Sequence, residues 1–217
     1  PEVKKDSNEI YYNRQTYLAS IFLSKSNFYK SRYIRSFNIT EDIPIGLINA
    51  IIFGKNWAEF GDYYYAGYRL AAGDYTNYGY FFGQVETGSF FSGDLTKNTI
   101  LSLQGNYFTP LFKIGNANVR NFLRLSSFLS RDLSFPIARS LAESRRIRDI
   151  SGTPLLGNNL LNGSVESVIF LNKYFYGFQF APFLYSDFGI VEENRINDPY
   201  SKFYNNYGLG IRVKNEN

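Results

Sequence analysis

The chain has 217 residues, enough for one domain of ordinary size, and it contains no Cys, His or Met. The absence of Cys excludes disulfides and thiolate chemistry, and the absence of both His and Cys argues against the usual zinc and haem sites. The formal net charge of +4 is spread along the chain, and the one basic cluster, 145–148, lacks the aromatic platforms of a single-strand nucleic-acid binder. We therefore expect no cofactor, no metal and no nucleic-acid partner.

Aromatic residues are unusually frequent in this chain. The 19 Tyr, 21 Phe and 1 Trp make up 19% of the chain, and Tyr and Trp favour membrane interfaces. The mean hydropathy of −0.26 would suit a soluble protein, but a barrel that alternates lipid-facing and lumen-facing residues averages to a similar value. No run of about 18 apolar residues is present, which excludes a transmembrane helix. A Tyr-rich soluble sandwich is the alternative to a membrane barrel.

Alternating apolar and polar residues predict ten strands, of which the clearest spans Tyr176–Ile190. Successive side chains of a strand point to opposite faces, so each such strand has one apolar and one polar face. Short polar turns join the strands, which predicts an all-β antiparallel meander that forms a transmembrane β-barrel. In chain order the predicted strands are 10–24, 27–39, 45–55, 61–74, 77–92, 97–109, 118–130, 160–171, 175–191 and 203–213, with turns at Ser24–Ser26, Glu41–Pro44, Ser92–Asp94 and Leu171–Lys173.

The alternation also sorts polar from apolar side chains within single strands. In strand 97–109, Leu101, Leu103 and Tyr107 share one face, while Ser102 and Gln104 share the other. A charge on the lipid face costs about 2–4 kcal/mol at the membrane midplane, so charged residues should face the lumen. In the first two predicted strands, polar and apolar residues are poorly separated, because the basic residues fall on both faces. The residues predicted to face the interior are Arg69, Glu86, Arg120, Arg124, Glu166, Asp187 and Arg212.

Two connections are long, 131–159 and 192–202. They follow strands two apart in the meander, so both lie at the same end, and in bacterial barrels the long loops are extracellular. The whole chain, 1–217, is predicted to form part of one outer-membrane barrel domain. Its last strand ends in mid-pattern, and a sheet edge cannot be left exposed in lipid. Either the ten strands close among themselves or, as we expect, they form part of a larger barrel.

A series of short motifs follows in the second half of the chain. The long loop contains Ile147-Arg148-Asp149-Ile150, the next strand contains Glu166, and the strand after it contains Asp187-Phe188-Gly189. In this order the stretch 122–217 resembles the C-terminal half of the BamA/TamA superfamily of bacterial surface-antigen barrels. The closing segment Tyr207–Arg212 resembles the third-last strand of that family, which implies a barrel of about sixteen strands. The upstream strands look most like standalone members from Bacteroidetes.

The resemblance implies a location and an activity. Members lie in the bacterial outer membrane, among its lipid and lipopolysaccharide, and assist insertion or translocation of proteins or lipids. Client outer-membrane proteins and accessory lipoproteins are the implied partners. The long loop, 131–159, is implied to plug the lumen, with Arg148 docked on Asp187 or Glu166. Asp149 and Ile150 depart from the Gly and the aromatic residue of the family motif, which alters the tight turn there.

Each singled-out residue also has a plainer interpretation. Arg148 could belong to a solvated basic loop, and Asp187 could solvate the lumen or cap a turn near Gly189. For Arg120 and Arg124, ordinary lumen charge is favoured over a substrate filter. For Trp57 and Tyr63–Tyr65, anchoring at the membrane interface is favoured over ligand stacking.

Two other functions remain open at this point. A passive pore or structural barrel without a client would share the fold. An enzyme is not expected, because barrel hydrolases need a nucleophile with His or an equivalent base, and this chain has no His.

Overall fold

The computed structural model describes residues 13–34, 36–59, 61–131, 139–140, 156–193 and 200–215, and these form an all-β structure. Eleven strands form one antiparallel sheet in which long strands pair with their sequence neighbours, and β8 pairs with β9 apart from it. The predicted all-β meander is thus confirmed. The strands are β1 Arg14–Arg32, β2 Thr40–Ala58, β3 Tyr63–Thr76, β4 Gly79–Ser92, β5 Leu95–Phe108, β6 Phe112–Ile114, β7 Ala117–Arg131, β8 Arg139–Ser140, β9 Leu156–Gly157, β10 Asn159–Leu171, β11 Tyr174–Phe175, β12 Phe178–Glu193 and β13 Tyr200–Asn215.

The sheet is open. Among the described residues, β1 pairs with β2 alone and β13 pairs with β12 alone, so the two outer strands leave an edge each. β7 and β12 both run antiparallel to β10, so their last residues lie at the same end of the sheet. We call this the long-loop end and the opposite one the short-turn end. No helix in the described part of the chain is long and apolar enough to cross a membrane.

The first hairpin differs from the prediction. The predicted turns at Ser24–Ser26 and Glu41–Pro44 are wrong, because β1 and β2 pair without interruption from Arg14 opposite Ala58 to Arg32 opposite Thr40. The connection instead spans residues 33–39. Each of the two strands is 19 residues long, and together they extend past β3, which begins to pair with β2 only at Gly46.

A change of phase explains the misleading pattern. Ala50 and Asn56 are buried on the inward side of β2, whereas nearer the short-turn end the buried residue is Ile43, which has the opposite parity. Between them Gly46 has a φ of 138°, and a Cβ there would lie 1.9 Å from the Lys25 carbonyl oxygen. Only glycine readily adopts that conformation, so the strand changes its inward face there without turning back.

Pro44 fits a strand for a related reason. Proline removes a backbone donor and is therefore confined to strand edges and bulges. Pro44 pairs with Phe28 of β1, but it lies beyond the last residue of β2 that pairs with β3. No ladder hydrogen bond is lost on the β3 side, so the acidic, proline-containing run forms a strand despite its turn-like composition.

A tight hairpin turn precedes β12. Tyr176 and Gly177 have φ values of 51° and 80°, and they join Phe175 to Phe178. Positive φ at both central residues is the requirement of a two-residue hairpin turn. Tyr176 therefore lies in the turn, and the predicted start of this strand at 175 is wrong.

The sheet is strongly curved. Arg120 of β7 donates from Nη1 to Ser31 Oγ of β1 over 3.2 Å. β1 and β7 are five strand steps apart, which would separate them by about 24 Å in a flat sheet. The contact therefore requires the sheet to curl into a trough, and the side that holds Arg120 and Ser31 is its concave face.

Aromatic residues pack on the concave face near the short-turn end. Tyr80, Phe108 and Ile43 are buried together, and the rings of Tyr80 and Phe108 stack with centroids 5.0 Å apart. Tyr80 Oη donates to the Pro44 carbonyl oxygen over 2.9 Å, which ties β4 to the extended part of β2.

Replacing Tyr80 by Phe is expected to lower the free energy of unfolding by about 1 kcal/mol, since one buried hydrogen bond is lost while the ring packing stays. Urea titration of the folded protein, with Tyr78→Phe as the control, measures this. Tyr78 is exposed, so its substitution should have no measurable effect. Equal midpoints for both variants would show that the bond to Pro44 does not contribute.

Candidate functional site on the concave face

Charged side chains of the central strands lie on the concave face, where a cavity of about 800 Å³ opens. Its lining combines aromatic residues of β4, β5 and β7 with the charged residues Glu41, Asp42, Arg124, Glu166 and Arg212. A volume of this size suits a small ligand, a loop or ordered water.

Glu166 and Arg212 form an ion pair across β12. Glu166 is buried at 4% exposure, and Arg212 Nη2 donates to its Oε1. The Arg212 guanidinium also lies 5.1 Å from the centre of the Phe183 ring. That ring covers Gly210, where a Cβ would meet it at 2.6 Å, so the glycine lets the ring lie flat against β13 beneath Arg212. A charge-assisted hydrogen bond of this kind is among the stronger polar contacts in proteins.

Asp187 is fully buried on the same face. Ser164 lies directly opposite it on β10 and donates from Oγ to Asp187 Oδ1 over 2.6 Å. Two residues before Ser164 on β10, and on the same face, Asn162 accepts a hydrogen bond from Ser126 of β7 and lies opposite Gly189. The inner surface of β7, β10 and β12 is thus a continuous polar strip.

The other predicted lumen charges lie on either side of this strip. Arg69 Nε lies 3.0 Å from Glu86 Oε1, directly opposite on β4, although without the alignment of a hydrogen bond, and Arg69 Nη2 donates to Gln84. Arg124 is exposed to the cavity. Unlike the buried Glu166, the Arg69–Glu86 pair keeps about two fifths of each side chain exposed.

Arg120 is the most deeply buried cation among the described residues, at 2% exposure. Besides its hydrogen bond to Ser31, its guanidinium lies 4.9 Å from the centre of the Phe108 ring. A cation over a ring face is attracted by the ring quadrupole, which partly offsets its loss of water. Arg120 therefore joins β7 to β1 across the trough.

The predicted plug motif, Ile147, Arg148, Asp149 and Ile150, lies outside the described residues. Docking of Arg148 on Asp187 or Glu166 therefore stays a prediction. The two proposed acceptors do lie on one face of neighbouring strands, with Ser164 opposite Asp187 and Tyr185 opposite Glu166.

The convex face has the opposite character. From β4 to β13, its only charged residues within the described strands are Arg131 and Glu192, both at strand ends on the long-loop side. On β1–β3 the separation is less complete. Lys25, Lys55 and Asp74 lie on this face, and beyond the change of phase at Gly46 so do Lys30, Arg32 and Asp42. Apolar side chains lie exposed on the convex sides of β5, β7, β10, β12 and β13, among them Leu103, Leu125, Val165, Leu184 and Leu209.

Exposed aromatic residues mark both ends of the convex surface. Tyr17, Trp57 and Tyr64 lie near the long-loop end, and Phe81 and Phe175 lie near the short-turn end. The Tyr63–Tyr65 run is divided between the two faces, with only Tyr64 on the convex one. Tyr65 points to the concave side, where its hydroxyl covers Gly67 and Gly88, and Tyr63 lies on that side as well, since it pairs with the buried Asn56.

Sequence analysis did not identify an apolar socket on the concave face. Phe37, Val168, Phe170 and Ala181 form a buried cluster near the short-turn end. The sequence of β10 did contain a signal for this cluster. Val168 and Phe170 face inward like Glu166, but they are apolar, whereas a water-filled lumen would favour polar residues there. An apolar residue on that parity indicates that another part of the chain covers it.

Among the described residues, no group of three or more carboxylate, His or Cys side chains is placed to hold a metal ion. No protein-family model, curated protein or solved structure matches the chain.

Proposed function

We propose that the protein is an integral β-barrel protein of a bacterial outer membrane. The observation that carries this proposal is the separation of charge between the two faces of the curved sheet. On β10, for example, Glu166 is buried on the concave face while Val165 and Ile169 are exposed on the convex one. In water such a surface would be an aggregation liability, whereas in lipid it is the required arrangement.

The dimensions of the apolar surface support the same proposal. On β13 the convex apolar residues run from Phe203 to Val213, a span of about 33 Å along the strand. A strand tilt of about 40° reduces this to about 25 Å, the usual height of the lipid-facing band. The aromatic residues at both ends of the surface fit interfacial girdles. In lipid, both open edges must also be paired, because unpaired backbone groups there cost several kcal/mol each.

Within the membrane, we propose a BamA/TamA-like role in the insertion or translocation of proteins or lipids. The support is the order of the motifs together with the placement of Glu166 and Asp187 on one polar strip. A passive pore or structural barrel is the alternative. Contacts that cross the short-turn end, such as Arg120 with Ser31, favour a lumen closed at that end over an open pore.

Depletion of the protein in its native bacterium tests the proposed role. The expected result is at least a twofold fall in other folded outer-membrane barrels, measured as heat-modifiable bands in isolated outer membranes. Re-expression of the wild-type chain should restore them. Unchanged levels of the other barrels, with the protein itself recovered from the outer membrane, would favour the passive barrel. Recovery of the protein from the soluble fraction would contradict the membrane location.

A further inference from the structure

The turn between β1 and β2 lies inside the curve of the sheet. Phe37 is buried at 4% exposure, and its ring centroid lies 5.6 Å from that of Phe170. The Tyr33 ring approaches Phe170 to 5.1 Å. Phe170 belongs to β10, five strand steps from β2, so these contacts cross the interior of the trough.

The residues that receive Phe37 form a socket. Val168, Phe170 and Ala181 all have 0% exposure, and they lie on the inward sides of β10 and β12. Their apolar surface interrupts the polar strip of Asn162, Ser164 and Glu166 at the short-turn end. The socket is therefore complementary to an apolar side chain, and Phe37 provides it.

Polar contacts hold the base of the turn in the same position. Ser31, the last buried residue before the turn, accepts the hydrogen bond from Arg120 of β7. Glu41 accepts a hydrogen bond from the Ser36 backbone N–H over 3.1 Å, which closes the turn on itself. One end of the hairpin is thus attached to β7, and its tip is attached to β10 and β12.

We propose that the turn, of which the structure describes residues 33–34 and 36–39, is a built-in plug that closes the lumen at the short-turn end, with Phe37 as its anchor. The proposal rests on the proposed membrane barrel. This plug lies at the opposite end of the sheet from Arg131, the last residue of β7. A barrel closed here would exclude ions and small solutes until Phe37 leaves its socket.

Two measurements test the plug. Because the chain has no native Cys, the label in the first one reacts only at the introduced Cys. In a Val168→Cys background, we expect Phe37→Ala to speed labelling by a membrane-impermeant maleimide at least tenfold, because the socket is uncovered. In planar bilayers, Phe37→Ala alone should raise single-barrel conductance at least twofold. Ile39→Ala is the matched control, since Ile39 lies in the same turn but is exposed, and it should change neither value. Phe37→Leu, which keeps an apolar anchor and is the safer variant for folding, should give intermediate values.

The outcomes separate the plug from the membrane function. Unchanged labelling in the Phe37→Ala and Phe37→Leu variants would overturn the plug, whether or not the protein enters a bilayer. Faster labelling with unchanged conductance would overturn the closure of the lumen. Failure of the wild-type protein to insert, with labelling still faster in Phe37→Ala, would remove the membrane function and leave the anchored turn established.

Discussion

Replacing Leu103 by Arg is expected to destabilise the membrane-embedded protein by about 2–4 kcal/mol, since the new charge would lie near the middle of the lipid-facing surface. Leu103 lies at the middle of β5 on the convex face. The measurement is a urea titration of the protein folded into phospholipid vesicles, followed by the mobility of the unheated protein on gels.

Gln104→Arg is the matched control for this experiment. Gln104 is the next residue of β5 and points to the concave face, where it lies opposite Gln84 of β4. A cation there enters a polar, water-accessible surface, so we expect a change within about 1 kcal/mol. Equal effects of the two substitutions, or a larger effect of Gln104→Arg, would contradict the assignment of the faces.

Replacing Glu166 by Gln is expected to cost about 3 kcal/mol. The change leaves Arg212 without its carboxylate in a largely buried position, and breaking a buried pair from one side typically costs about 3–5 kcal/mol. The lower end of that range applies because the Arg212 side chain is 31% exposed. The same urea titration in vesicles measures the effect.

Three further variants, Glu86→Gln, Arg212→Gln and the double variant, decide whether the Glu166 effect comes from the pair. Glu86→Gln breaks the half-exposed pair with Arg69 and should cost at most about 1 kcal/mol. The double variant Glu166→Gln/Arg212→Gln should recover part of the loss, because no uncompensated charge remains. A double variant as unstable as the sum of the two single ones would show that the pair itself is not coupled.

The central strands could be predicted because their environment differs on the two faces along their whole length. For 97–109, 118–130 and 160–171, the alternation placed strands that the structure has at Leu95–Phe108, Ala117–Arg131 and Asn159–Leu171. A shift of one residue would move every side chain to the other face, so the pattern fixes the register as well as the strand.

The first hairpin could not be predicted in the same way. The alternation breaks between Ser24 and Asn27, and a break in parity looks the same in sequence whether the chain turns back or changes its inward face. Gly46 decides between them through its positive φ, a property that the residue type permits but does not require. Pro44 also depends on a tertiary fact, namely that β3 ends before it.

The alternation of apolar and polar residues could not predict contacts across the trough. The inward parity of Arg120 follows from its strand, but its pairing with Ser31 depends on the curvature of the whole sheet. The same is true of Phe37 and its socket. Parity gives the face of a residue, whereas curvature decides which distant residue faces it.

The central claim is that lipid contacts the convex face and water the concave one, and spin labels in bilayers test it most directly. Single labels would be attached through Leu103→Cys, Leu209→Cys and Gln104→Cys, and their collision rates with oxygen and with a water-soluble nickel complex compared. We predict high oxygen and low nickel accessibility for the variants at 103 and 209, with the reverse at 104. Nickel accessibility at 103 and 209 as high as at 104 would contradict the account.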